Sequence, residues 1–255
     1  TLLGILFWIS ISPSGVIGML GGIVWWTIGT IVTSGLSIFY THLKINLTAV
    51  NWRFWADLFK RSASLALALL ANHAYVRWGI LSLSWYRPAI EVGQYGLAFK
   101  FFEVALSLPI FFMNSYYPDL LEMSVLEIGE RAKKLIQTLF LGSLVVTGVL
   151  FVGAPLLSLV RVDFAQSVPY LRELSLITPI FFVTSPLVWY FVMYKKQQIL
   201  AYIYGLAFLL FVVISPDLVI RHGASGAIMA LGITEALVLA GGWGYIISLR
   251  RNFRW

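Results

Sequence analysis

The sequence predicts an all-α polytopic membrane protein, and three observations predict it. Of the 255 residues, 60% are hydrophobic and 11% charged, against about 45–50% and about 25% in an ordinary soluble domain. One soluble core of this size cannot hide so much apolar surface. The apolar residues form continuous runs between charges, near the ~20 residues that cross a bilayer as a helix, rather than the ~10-residue alternating strands of a barrel. This excludes a soluble enzyme, a disordered chain and a nucleic-acid-binding domain. There are no cysteines, so disulfides, thiolate metal sites and Cys nucleophiles are excluded too.

Residues 1–12 are an apolar segment without a basic start or a small-residue cleavage site, so they do not read as a signal peptide. They read as the tail of a longer helix, a partial span, and the chain as a fragment whose N-terminal part is missing. Ser12-Pro13-Ser14-Gly15 is turn chemistry. A full span is expected at 16–41, then a polar stretch at 42–61 with Lys44, Arg53, Asp57, Lys60 and Arg61. Further spans are expected at 62–84 and 93–118. The charged segment 119–134 reads as an interfacial amphipathic helix. Spans follow at 135–160, 174–194, 197–216 and 224–249, the last interrupted only by Glu235. The expectation is seven full transmembrane helices plus one partial.

The net charge of +7 first reports on topology. One set of alternate loops holds Lys44, Arg53, Lys60, Arg61, Arg131, Lys133, Lys134, Lys195, Lys196, Arg250, Arg251 and Arg254. The other holds Arg87, Arg161, Arg172 and Arg221. By the positive-inside rule the richer set, with the C-terminus, is cytoplasmic.

Charges within spans are costly and usually face a bundle interior or a water-filled cavity. His73, Arg77, Lys100, Glu103 and Glu235 are such residues. At about 100° per residue, Gly96, Lys100, Glu103, Ser107, Asn114 and Pro118 fall within roughly 60° on one helix. His73 and Arg77 share a face of the preceding span, with Asn72 about 100° away. Lys100 and Glu103 are an i,i+3 pair that can bond directly, which a purely structural salt bridge would also satisfy. Glu235 has no base on its own helix and reads equally as a coupling or a structural group. No phosphate loop, HExxH, GxSxG or GxGxxG motif occurs. His42, His73 and His222 are too dispersed for a local metal motif. No enzyme activity and no cofactor are expected.

The stretch 60–120 resembles the opening of the second half of bacterial polysaccharide flippases, the O-antigen and teichoic-acid exporters of the multidrug/oligosaccharidyl-lipid/polysaccharide superfamily. The resemblance is carried by Lys60-Arg61-Ser62, Tyr75-Val76-Arg77, Val92-Gly93-Gln94-Tyr95 to Ala98-Phe99-Lys100, Leu108-Pro109, Asn114 and Pro118. A second block, 163–176, and the run His222-Gly223-Ala224-Ser225-Gly226-Ala227 to Ile233-Thr234-Glu235 are similar to the family's close. Two departures stand out: Ser64 replaces the family's Pro, and Gly79 replaces an acid that often follows Arg77.

The resemblance implies that residues 62–255 are the C-terminal six-helix lobe of a two-lobe alternating-access transporter. Residues 1–43 would then end the N-terminal lobe, and 44–61 would be a cytoplasmic linker. The implied activity is flipping a lipid-linked oligosaccharide across a bacterial inner membrane. The implied substrate cavity uses Arg77, Lys100, Glu103, His73, Asn72, Ser107 and Asn114, with polysaccharide assembly proteins as possible partners. The alternatives are a cation-coupled drug or metabolite exporter, with Glu103 or Glu235 carrying a proton, and a non-transporting scaffold of a polysaccharide assembly complex.

Overall fold

A computed structural model describes residues 16–41, 52–121, 125–160 and 162–252. The partial span at 1–12, His42, Lys44 and Arg161 lie outside them. The described residues are all-helical, without a strand. The chain divides into two compact units, Thr1–Trp55 and Ala56–Trp255.

In the first unit, α1 covers Val16–Thr41, the extent expected from its uncharged run. Thr33 and Ser37 turn their hydroxyls onto carbonyls one turn earlier, so these polar groups need no outside partner. Helix α2, Trp52–Tyr86, belongs from Ala56 onward to the second unit and begins within the stretch expected to be linker. No Pro or Gly interrupts 52–78, so nothing stops the helix from running back through the polar residues.

In the second unit, α3 covers Ala89–Leu121 after the Arg87–Pro88 turn. Helix α4, Val125–Gly153, joins the expected interfacial segment and the span after it into one helix. Pro155 follows, then α5, Leu156–Val160, and a 3-10 turn, Val162–Gln166. Helix α6 covers Ser167–Met193. It closes with the Lys196 N–H on the Phe191 carbonyl and the Lys195 N–H on that of Val192, with Lys195 at φ 55°. This is the crossed bonding of a Schellman cap. Helix α7, Gln197–Asn252, is broken at Gly223 (φ 61°, ψ −136°).

Among the described residues, four helical stretches are long and apolar enough to cross a membrane: Ala89–Pro118, Lys133–Leu159, Val162–Met193 and Gln197–Ser248. The chain is thus a membrane-embedded multi-pass protein. Neither α1 nor α2, expected as spans at 16–41 and 62–84, is among the four; Asn72, His73 and Arg77 interrupt the apolar run of α2.

The break at Gly223 folds α7 back on itself. A Cβ at Gly226 would lie 2.0 Å from the Leu218 carbonyl oxygen, and one at Gly241 would reach Ile203 at 4.0 Å. The two halves therefore run antiparallel, and a bare glycine lets their backbones touch. The second half runs parallel to α6, since Ser225 meets Glu173, Glu235 meets Thr184 and Gly242 packs on Leu187. Helix α2 seals the groove between the halves: Tyr75 stacks on Tyr204 at 6.2 Å, and Trp78 meets Phe208 edge-on at 5.7 Å. Helix α3 joins α6 through Phe102 and Phe181 at 5.3 Å. Tyr75, Tyr95, Phe99, Phe102, Phe191 and Phe211 are the largest side chains of this core.

Candidate functional site

The α3 stripe and the α2 stripe meet. Helices α2 and α3 are antiparallel after a tight turn, so Arg77 on one comes level with Glu103 on the other. Arg77 Nη2 lies 2.6 Å from Glu103 Oε1, and Lys100 Nζ lies 2.9 Å from Glu103 Oε2. One carboxylate thus bridges two cations, leaving one net positive charge. The Lys100–Glu103 pair is the i,i+3 contact the spacing predicts. Arg77 takes its counter-charge from the next helix, which answers the absence of an acid at Gly79.

The triad is not packed away. The side chains of Arg77 and Lys100 are 49% and 64% exposed, although Val104, one turn beyond Lys100, is apolar and exposed as well. Arg77 and Lys100 keep their heads exposed while Glu103 between them is 24% exposed, and a charge facing hydrocarbon is costly. This face requires water, a polar ligand or another polar surface opposite it.

The remaining stripe residues are arranged more locally. His73 is exposed, and its Nδ1–H donates to the Leu69 carbonyl at 2.9 Å, which leaves Nε2 as an outward acceptor. Ser107 Oγ donates to the Val104 carbonyl at 2.6 Å. Asn114 is exposed and Asn72 half-buried. Among the described residues no group of His, Asp and Glu suits a metal ion.

Glu235 is elsewhere, 2% exposed in the core. Tyr75 Oη from α2 and Thr184 Oγ1 from α6 are hydrogen-bonded to its two carboxyl oxygens. No Lys, Arg or His forms an ion pair with it among the described residues. The sequence marks the acid, but its partners are hydroxyls on other helices and carry no sequence signal.

A second polar cluster escapes sequence reading altogether. At the Gly223 break, Glu91 accepts the Ala224 N–H at 2.8 Å and pairs with Arg87 at 3.3 Å. Ser225 Oγ donates to Glu173 at 2.9 Å. Glu91 caps the helix that starts at Ala224, a role helix ends usually give to a local side chain. Gly223 lies at φ 61°, ψ −136°, a conformation that side-chain-bearing residues rarely adopt, and a Cβ there would also displace Glu91 and Arg87.

Comparison with known proteins finds no matching family description, no matching curated protein and no matching solved structure.

Proposed function

We propose that the chain is the C-terminal lobe of a two-lobe alternating-access transporter that moves a lipid-linked oligosaccharide from the cytoplasmic to the outer leaflet of a bacterial inner membrane. On this reading the chain has seven full spans, with the two halves of α7 counted separately, and a cytoplasmic C-terminus. The observation that carries it is the exposed Arg77–Glu103–Lys100 triad on otherwise apolar helices. Carrying a pyrophosphate headgroup through a low-dielectric layer needs cations that offset its desolvation. A headgroup oxygen would compete with Glu103 for both cations, so binding and release exchange one ionic partner for another. His73, Asn72, Ser107 and Asn114 extend the same face with groups suited to sugar hydroxyls. Net charge moved across the layer is worth about 2.3 kcal/mol per 100 mV, so the membrane potential acts on the step.

The exposure of the triad speaks against the scaffold reading, which wants those stripes packed on other helices. The buried Glu235 favours a second reading, a cation-coupled exporter of another cargo in the same superfamily.

The test substitutes Arg77→Ala and Lys100→Ala in the full-length protein and measures surface polysaccharide at matched membrane abundance. Each charge-assisted hydrogen bond contributes about 1.5–3 kcal/mol, so each variant is expected to lose about ten- to a hundredfold in export rate. Normal export by both variants overturns the cationic-cavity reading.

A further inference from the structure

The carboxyl of Glu235 is met by two hydroxyls and, among the described residues, by no cation. Thr184 Oγ1 makes two contacts, one to Glu235 Oε1 and one to the Phe181 carbonyl at 3.0 Å. Tyr75 Oη contacts Glu235 Oε2. An ionised carboxylate and a carbonyl are acceptors only, and each hydroxyl carries a single hydrogen. With an ionised carboxylate Thr184 would split its one hydrogen between Glu235 and Phe181, as Thr234 splits its own between the Ala230 and Leu231 carbonyls. A third hydrogen on Glu235 completes the set: the acid donates to Thr184 Oγ1, Thr184 donates to the Phe181 carbonyl, and Tyr75 donates to the other carboxyl oxygen.

The surroundings agree. Glu235 is 2% exposed, and Tyr75 and Thr184 are 0% and 3% exposed, so the carboxyl lies away from bulk water. The titratable groups facing the carboxyl are Tyr75 from α2 and, stacked behind it, Tyr204 from the first half of α7. Helix α6 offers only the hydroxyl of Thr184. Of the charged groups on α2 and α3, Arg77, Lys100 and Glu103 are engaged with one another, and Glu91 with Arg87 and the Ala224 N–H. A buried charge without a partner is far costlier than a buried neutral acid.

We propose that Glu235 is a proton-binding site at the junction of α2, α6 and the second half of α7, held as a neutral carboxylic acid in this conformation. Release breaks the Glu235 O–H bond. The proton passes to water admitted when α2 and α6 draw apart, and the carboxylate stays on Glu235. Thr184 then turns its hydrogen from the Phe181 carbonyl to Oε1. Opening of this junction and loss of one proton are one event. The site is independent of the cargo assigned above, and its test does not use transport.

The experiment is infrared spectroscopy of the purified full-length protein in lipid vesicles across a pH series, compared with Glu235→Gln and Thr184→Val. The wild type is expected to show the carbonyl stretch of a protonated carboxylic acid at neutral pH, where exposed carboxylates are ionised. That band is lost in Glu235→Gln. In Thr184→Val it persists at higher frequency, because the acid has lost the oxygen it donates to. Absence of the band in the wild type at neutral pH, or its survival in Glu235→Gln, overturns the proposal. If Glu235→Gln does not fold, the wild-type and Thr184→Val spectra decide: an unshifted band in Thr184→Val also overturns it.

Discussion

Single residues decide where the helices of the second unit approach each other. Gly226 lets the two halves of α7 touch, because any side chain there meets the Leu218 backbone at 2.0 Å. Gly205, on the same helix, has nothing within 4 Å of its would-be Cβ. The same substitution is therefore expected to have opposite signs at the two sites. Gly226→Ala forces backbone apart and costs about 1–3 kcal/mol. Gly205→Ala removes the entropy penalty of a helical glycine and stabilises by about 0.5–1 kcal/mol. Thermal unfolding of the two variants in detergent checks this; a Gly226→Ala protein that unfolds no earlier than Gly205→Ala would refute the hairpin contact. Legibility at this scale depended on distance along the chain. Lys100 and Glu103 are three residues apart, so helix geometry alone pairs them. The Arg77–Glu103 bridge required knowing that α2 and α3 stand side by side in register. The partners of Glu235 lie 160 and 51 residues away, and nothing local to Tyr75 or Thr184 points to that acid.

Helices rather than residues absorb the prolines. Pro179 lies inside α6, so the Ser175 carbonyl, four residues earlier, has no N–H to accept. Thr147 of α4 supplies the missing hydrogen, its Oγ1 lying 3.0 Å from that oxygen. Pro186 frees the Phe182 carbonyl in the same way, and Ser185 Oγ takes it at 2.9 Å. A proline that the sequence marks only as a bend thus becomes a joint between two helices, as a membrane interior requires of any freed backbone group. Thr147→Val keeps the shape and removes the donor; the expected loss is about 0.6 kcal/mol, the average for hydrogen bonds between membrane helices. In a Pro179→Ala background the restored N–H satisfies Ser175, and Thr147→Val should cost almost nothing. Equal costs in both backgrounds, read from unfolding midpoints, would show that the bond carries no joint energy. The helix ends were less legible than the helices. Charge led the reading to separate 119–134 from the span that follows, whereas backbone propensity carries α4 from Val125 through both. Charge likewise put the polar residues before 62 in a linker, but without Pro or Gly the helix continues through them.

For the second unit as a whole, the directions of the helices test the span assignment more strictly than their lengths do. The Arg87–Pro88 turn, the start of α6 and the Gly223 break come together through Glu91 on Ala224 and Glu173 on Ser225. Arg172, near the start of α6, reaches back to the Phe151 carbonyl near the end of α4 at 3.4 Å. These junctions lie at one end of the bundle, and they belong to the arginine-poor set of loops that the charge count puts outside. At ~1.5 Å per residue, a straight α7 would be roughly 80 Å long, far beyond a bilayer of about 30 Å. The antiparallel packing of its halves fits two crossings with a turn at Gly223. A labelling experiment follows directly, because residues 1–255 hold no cysteine and an introduced one is the only target among them. Pro88, Lys196 and His222 are all exposed. Pro88→Cys and His222→Cys are expected to react with a membrane-impermeant maleimide in intact cells. Lys196→Cys should react only in inverted vesicles. Labelling of His222→Cys and Lys196→Cys from the same side would make α7 a single crossing, and would undo the six-helix lobe together with the orientation read from the arginines and lysines.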